Sequence, residues 1–310
     1  MRPSKEQSKV KTKPSKAKKV FSVIFALLLL IAVSLALYPT VSKMVNTATA
    51  NSTVDGYSKN VDTMPKSEID RMFREAEQYN AELANVVRTD DMPDFSPNDA
   101  YYDILNVGVN GMMGSIEIPT INVRLPIYHG TDKEFLDEGA GHLIGTSFPI
   151  GGLNTHAVIS AHTALPGKML FDKLTEVKEG DVFYVKVLDR ELEYKVTDIQ
   201  VVLPTNGQSL NIVKDKDLVT LVTCTPYSIN THRLLVTGER VMQDNTDSLT
   251  DTNDDTDSTT TEITTSHTRS FDYVYILIGF GVFVIGLVVF VVLSLKRKDK
   301  SEEKEKEQSE

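Results

Sequence analysis

Cysteine is nearly absent from this chain of 310 residues, which contains one, Cys224. A single thiol excludes the internal disulfides that often stabilise exported domains. Three interpretations of Cys224 remain: an inert buried thiol, a partner in an intermolecular disulfide, or a reactive nucleophile. The cellular compartment of the domain and the residues near Cys224 distinguish these three interpretations.

An excess of positive charge is also missing, because 33 lysines and arginines face 43 acidic residues and the formal net charge is −10. This balance disfavours a nucleic-acid partner.

Large apolar side chains are scarce in residues 243–270, which are rich in Ser, Thr and Asp. Such a segment buries too little to fold, so we interpret it as a solvated linker.

Charge is absent from residues 20–38, which follow a basic segment, residues 1–19. At about 1.5 Å per residue this run nearly crosses a hydrocarbon core of about 30 Å, which predicts a transmembrane helix. A cleaved signal peptide is the alternative. Its apolar region is usually shorter, about 7–15 residues, and the small residues at 48–50 lie well beyond the run.

A second apolar run, residues 271–295, contains one charged residue, Asp272, and is followed by KRKDK at the start of the charged segment 296–310. Basic flanks stay in the cytoplasm. The sequence therefore predicts a cell-membrane protein with two spans, both termini in the cytoplasm and the intervening domain outside the cell.

The region between the two runs divides by its hydrophobic period. Residues 41–99 are predicted to be helical and to end in an acidic loop with two prolines, residues 89–99. Residues 100–242 are predicted to form a mainly β domain, a closed barrel or a sandwich. Short helices are expected at 132–140 and 168–174. The strand-like runs, rich in Val, Ile, Leu and Tyr, are 114–119, 122–129, 155–162, 181–189, 192–204, 218–224 and 232–242.

Cys224 ends one of these runs, and Pro226 prevents that strand from continuing as a central one. A nucleophilic thiol needs a cation or base nearby and a donor for the developing oxyanion. His129 and His162 both end strands, and Arg233 begins the strand that follows Cys224. Spacing alone does not choose between the histidines.

The motifs around these residues resemble the sortase family, and specifically its class C, the pilin-polymerising group. The resemblance covers about residues 65–242, and two membrane spans fit the usual layout of that group. The matching segments are TLVTC at 220–224, SAHTALPGKMLFDKL at 160–174, GSIEIPTINVRLPIYHGT at 114–131, GAGHLIGTSFPIGG at 139–152 and TPYSINTHRLLVTGER at 225–240.

The resemblance implies an eight-stranded sortase-type β-barrel with N-terminal helices and cysteine transpeptidase chemistry. Cys224 would attack the Thr–Gly bond of an LPXTG-like sorting signal on a pilin subunit or surface protein. Arg233 would stabilise the oxyanion, and His162 would act as general acid and then as general base. The acceptor would be a pilin lysine or a cell-wall precursor amine, and no metal or cofactor is expected.

The remaining histidines are interpreted as structural. His267 lies in the linker. His142 is expected in a loop packed near the site. The other three are His129, His156 and His232.

Class C sortases usually carry a lid with the order Asp-Pro-aromatic before the barrel. This chain has DDMPDFS at residues 90–96, with Pro93 and Asp94 in swapped order ahead of Phe95. Phe95 can still cover Cys224, with Asp91 or Asp94 paired to Arg233. An ordinary acidic loop is the alternative.

Two other functions remain open at this point. One is a housekeeping sortase that attaches surface proteins to the cell wall. The other is a membrane-tethered adhesion module without enzymatic activity, for which Cys224 would be dispensable.

Overall fold

The computed structural model describes residues 16–84, 99–107 and 111–242. Residues up to Tyr38 fall in one compact unit, and residues from Pro39 onward fall in a second unit that contains the barrel.

The first helix, α1, covers Lys16–Asp62. Within the described residues, one helix is long and apolar enough to cross a membrane, and its most apolar window, with a mean hydropathy of 2.4, is exposed. By length and composition this agrees with the predicted span at 20–38, although a signal sequence meets the same criterion. The predicted span at 271–295, the linker at 243–270 and the tail at 296–310 lie outside the described residues, so they stay predictions.

Eight strands close into a barrel, which confirms the predicted mainly β architecture. Around the barrel their order is β1-β2-β3-β4-β7-β8-β6-β5, and β5 pairs with β1. All pairs are antiparallel except β2–β3 and β4–β7. The strands are β1 (Met112–Ile118), β2 (Val123–His129), β3 (Ala140–His142), β4 (Thr155–Ser160), β5 (Val182–Val187), β6 (Arg190–Val202), β7 (Asp217–Thr225) and β8 (His232–Arg240).

All seven strand-like runs form strands. The eighth strand, β3, was not recognised as a run because it has three residues, all of them buried. So short a segment shows no alternation, and its pairing with β2 on one side and β4 on the other defines it as a strand.

The other helices are α2 (Lys66–Leu83), α3 (Asp99–Asp103) and α4 (Lys133–Glu138). The helix predicted at 168–174 is wrong, because that segment is a loop that ends in a single 3₁₀ turn, Leu174–Glu176. Its backbone donors find partners other than the carbonyl four residues earlier: the Phe171 N–H donates to the carbonyl of His162 (3.0 Å), and the Leu170 N–H donates to the Asp172 carboxylate (3.0 Å).

The part of α1 in the second unit packs against the barrel through Val54, Tyr57 and Val61, all of which are buried. The Tyr57 hydroxyl donates to the carbonyl of Met113 (2.8 Å) and accepts the N–H of Leu188 (2.8 Å). Burial raises the pKa of Tyr57 above its ordinary value, so the group stays a neutral phenol. One side chain thus satisfies two buried backbone groups and holds the helix on the barrel.

We expect Tyr57→Phe to lower the free energy of unfolding by about 1–3 kcal/mol, because two buried backbone groups lose their partner while the ring remains. Urea unfolding of the purified protein in detergent measures the change. Tyr227→Phe is the matched control, since Tyr227 is 60% exposed. Equal stability of the two variants would contradict this role of the Tyr57 hydroxyl.

Candidate active site

The candidate site is built on three neighbouring strands, with β7 between β4 and β8. The register pairs Cys224 with Arg233 across β7 and β8. It also pairs Ser160 with Val222 across β4 and β7. His162 follows Ser160 by two residues, as Cys224 follows Val222.

His162 lies beyond the last residue of β4, but its backbone still runs beside β7. The Ala161 N–H donates to the carbonyl of Val222 (3.1 Å), and the Thr223 hydroxyl donates to the carbonyl of Ala161 (2.8 Å). Side chains alternate between the two faces of a sheet, and neighbouring strands lie about 4.8 Å apart. His162, Cys224 and Arg233 therefore project from one face, in one row across three strands.

This face is opposite the barrel core. The alternate residues on the same strands, such as Ile159, Leu221 and Leu234, are buried in the main core. The face that carries the row instead holds a small apolar cluster of Val158, Leu210 and Leu235, with Leu143, Val202 and Val222 packed against it. Cys224 is half-buried, and Val222 of this apolar cluster lies two residues before it on the same face of β7.

The loop after His162 has a defined conformation. The Asp172 carboxylate accepts the backbone N–H groups of Ala164 (3.1 Å) and Leu170 (3.0 Å). The Phe171 N–H donates to the carbonyl of His162 itself (3.0 Å). Sequence reasoning did not single out Asp172, because nothing in the pattern of a loop shows which backbone N–H groups an acidic side chain will bind.

The Arg233 guanidinium is turned toward the β7–β8 connection. Its Nη1 donates to the carbonyl oxygens of Asn230 (3.2 Å) and His232 (3.2 Å). Among the described residues no other guanidinium nitrogen of Arg233 makes a hydrogen bond. A guanidinium carries five N–H donors, so donors remain for a ligand that lies over Cys224.

Three of the other histidines are buried and hydrogen-bonded. Burial lowers the pKa of His129, whose ring nitrogens contact the carbonyls of Gly111 (2.8 Å) and Ile104 (2.6 Å). His156 contacts the Asn211 carbonyl (2.8 Å) and the Thr220 hydroxyl (2.7 Å). These contacts support structural roles.

The expectation for His142 needs a correction. It lies on β3 and not in a loop, and it is fully buried. The Tyr101 hydroxyl (2.8 Å) and the Ser147 carbonyl (2.9 Å) contact its ring. The pairing of β3 with two strands, which the sequence did not reveal, places this residue inside the fold.

Two further predictions concern other parts of the site. The lid residues Asp91, Asp94 and Phe95 lie outside the described residues, so the lid stays a prediction. Within residues 16–84, 99–107 and 111–242 there is no group of three His, Cys, Asp or Glu side chains arranged to hold a metal ion.

Comparison with known proteins matches residues 116–241 to the sortase domain family. Sortase A of Streptococcus agalactiae is 34% identical over 131 residues, which are 41% of this chain and 52% of that protein. Sortase D of Bacillus subtilis is 29% identical over 131 residues, 63% of its length. The chain thus spans about half to two thirds of these curated relatives.

Solved structures match more of the domain. Sortase C of Clostridium perfringens is 44% identical with a TM-score of 0.54, and the match covers 63% of this chain and 100% of that one. Sortase C-1 of Streptococcus pneumoniae is 44% identical with a TM-score of 0.56, at 62% and 99% coverage. Sortase C1 of S. agalactiae is 40% identical with a TM-score of 0.57, at the same coverage.

We expect Asp172→Ala to speed amide hydrogen exchange at Ala164 and Leu170 by roughly tenfold or more, because each N–H loses a charged acceptor. Asp181→Ala is the matched control, since Asp181 likewise accepts a backbone N–H, that of Lys178 (2.9 Å), in a different loop. Unchanged exchange in Asp172→Ala would show that the carboxylate does not hold this loop.

Proposed function

Because this chain belongs to the sortase family, we propose that it is a membrane-anchored cysteine transpeptidase that joins pilin subunits. The observation that carries the proposal is the row of His162, Cys224 and Arg233 on one face of three adjacent strands. A thiol, a proton carrier and a cation with several donors can supply the nucleophile, the proton transfer and the oxyanion stabilisation of acyl transfer through a thioester.

In the proposed first step the thiolate of Cys224 attacks the threonine carbonyl of an LPXTG-like sorting signal. Arg233 donates hydrogen bonds to the oxyanion that forms. The Thr–Gly bond then breaks, the protonated His162 gives its proton to the leaving amine, and an acyl thioester remains on Cys224.

In the second step a lysine amine of another pilin subunit attacks the thioester carbonyl. His162 takes a proton from that amine, the carbon–sulfur bond breaks, and Cys224 leaves as a thiolate. The product is an isopeptide bond, and both side chains return to their initial protonation states. The small apolar cluster on the same face as the row would limit the access of water, which would otherwise hydrolyse the thioester.

The comparisons favour pilin polymerisation over general anchoring. The solved sortase C relatives are 40–44% identical and match almost the whole length of their chains, whereas sortase A of S. agalactiae matches over half of its length. The C. perfringens structure includes a C-terminal cell-wall sorting motif. A sortase C of S. pneumoniae, 40% identical, is described in terms of pilin substrate specificity.

A housekeeping role in anchoring surface proteins is the second candidate, because four of the curated relatives are sortases A. The two functions differ in the acceptor, which is a pilin lysine in one and a cell-wall precursor amine in the other. We propose the cell membrane as the location for either function, with the barrel outside the cell and both termini in the cytoplasm.

We expect Cys224→Ala to abolish joining of a sorting-signal peptide to either amine while leaving the circular dichroism spectrum unchanged, because the thiol forms the covalent intermediate. The full chain in detergent is given the peptide with a pilin-lysine peptide and a cell-wall precursor amine in competition, and products are identified by mass. Excess lysine product supports polymerisation, and excess wall-precursor product supports anchoring. Joining by Cys224→Ala would contradict both functions, and no joining by the wild-type chain would favour the non-enzymatic module.

We expect Arg233→Lys to lower kcat/KM by about 10²–10³, the usual cost of an oxyanion donor, since an ammonium lacks the fixed fork of donors. Arg240→Lys is the matched control at the other end of β8, where the cation lies over the Tyr194 ring (5.7 Å). If Arg233→Lys retains the wild-type rate, Arg233 does not stabilise the oxyanion.

A further inference from the structure

One acidic side chain outside the row faces His162. Asp137, in the last turn of α4, has its Oδ1 3.9 Å from Nε2 of His162. Both side chains are about one-third exposed, at 29% and 35%. The separation is an ion-pair distance and not yet a hydrogen bond, and contacts of catalytic groups often shorten when substrate binds.

The Asp137 carboxylate is held ionised. The ammonium of Lys133, one turn earlier on α4, contacts Oδ2 and lowers the pKa of Asp137 below its ordinary value. Since Lys133 contacts Oδ2, the second oxygen, Oδ1, is the one directed at the imidazole. Exposed pairs four residues apart contribute little to stability, so the pair with Lys133 does not by itself explain this placement of Oδ1.

A second contact joins the same turn of α4 to the loop that follows His162. The Lys168 ammonium contacts the backbone carbonyl of Asp137 and the carboxylate of Glu138 (2.8 Å), and the Lys168 side chain is only 19% exposed. The turn that carries the Asp137 carboxylate is therefore held at a defined position relative to the loop.

The backbone on both sides of His162 is fixed, and its ring is not. Thr223 holds the carbonyl of Ala161, and Phe171 holds the carbonyl of His162. Within the described residues Nδ1 of His162 makes no hydrogen bond. The imidazole ring can still rotate about its side-chain bonds. Its orientation decides whether Nδ1 or Nε2 faces the reacting groups over Cys224.

We propose that Asp137 is a positioning residue that binds the Nε2 side of His162 and thereby presents Nδ1 for proton transfer. This inference rests on the proposed function, in which His162 carries the proton. An adjacent carboxylate favours the tautomer with hydrogen on Nε2 and stabilises the imidazolium, as carboxylates do for other catalytic and metal-binding histidines. Asp137 itself touches neither substrate nor thiol.

The first test compares Asp137→Asn, Asp137→Glu and Glu134→Gln in the full chain, with a sorting-signal peptide and a pilin-lysine peptide. Asp137→Asn removes one charge with little change in shape. We expect it to lower kcat about three- to tenfold with KM unchanged, because a partly exposed ion pair contributes modestly. We expect Asp137→Glu to restore most of the rate. Glu134→Gln removes an exposed carboxylate of the same helix and should keep the wild-type rate.

The second test does not depend on activity. The chain has six histidines, so selective ¹⁵N labelling of their rings gives few signals, and His162→Gln identifies the one from His162. At a pH where the ring is neutral, we expect the wild type to show the tautomer with hydrogen on Nε2. Asp137→Asn should shift the population toward a mixture, and Glu134→Gln should not.

The outcomes separate the inference from the proposed function. A tautomer signal that does not change in Asp137→Asn overturns the positioning role, whatever the kinetics show. So does an equal loss of rate in Asp137→Asn and Glu134→Gln, since that pattern would reflect a general effect of charge on α4. If the wild-type chain joins no peptides, the proposed function fails, and the tautomer of His162 still decides whether Asp137 holds the ring.

Discussion

The register of β7 against its two neighbours is the constraint on which the rest of this structure depends. Cys224, His162 and Arg233 come from three different strands, and they share a face because β7 pairs with β4 and β8 in one particular alignment. A shift of one residue in either pair would turn one of the three side chains toward the barrel core. Closure of the sheet opposes such a shift, because every strand has two partners.

Buried polar contacts beneath the candidate site fix this alignment. The hydroxyls of Thr220 and Thr237 bond across β7 and β8 (2.8 Å), and His156 joins Thr220 from β4 while its other ring nitrogen contacts the carbonyl of Asn211. At the start of β7, Asp217 is buried, which raises the pKa of its carboxyl, and it accepts the Gly152 N–H and the Tyr194 hydroxyl. A slipped strand would leave these groups unpaired in the interior, at a cost of about 1–3 kcal/mol each.

The three residues of the row are held in two ways, two of them by strands and one by a loop. Cys224 and Arg233 stand on strands, where the ladder sets their separation. His162 stands on a loop whose order depends on Asp172 and on the contact with α4. In the proposed mechanism His162 would serve first a leaving and then an entering amine, and a ring that can rotate on a fixed backbone suits both steps. The position of His162 in the row therefore depends on contacts of its loop as well as on the strand ladder.

The sequence by itself determined seven of the eight strands, the apolar N-terminal helix and the motifs that point to Cys224, His162 and Arg233. These features are local, because the alternation of apolar residues, the length of an apolar run and a short motif can each be recognised within a single stretch of chain. The tertiary structure decided the rest: β3 as a strand, the burial of His142, the loop in place of a helix at 168–174, and the approach of Asp137 to His162. Each of these depends on contacts outside the segment concerned, such as β4 for β3 or α4 for the ring of His162. The period of the apolar residues in a segment shows which of its side chains face the core and which face water. Contacts between separate segments form only when the barrel closes and brings them together.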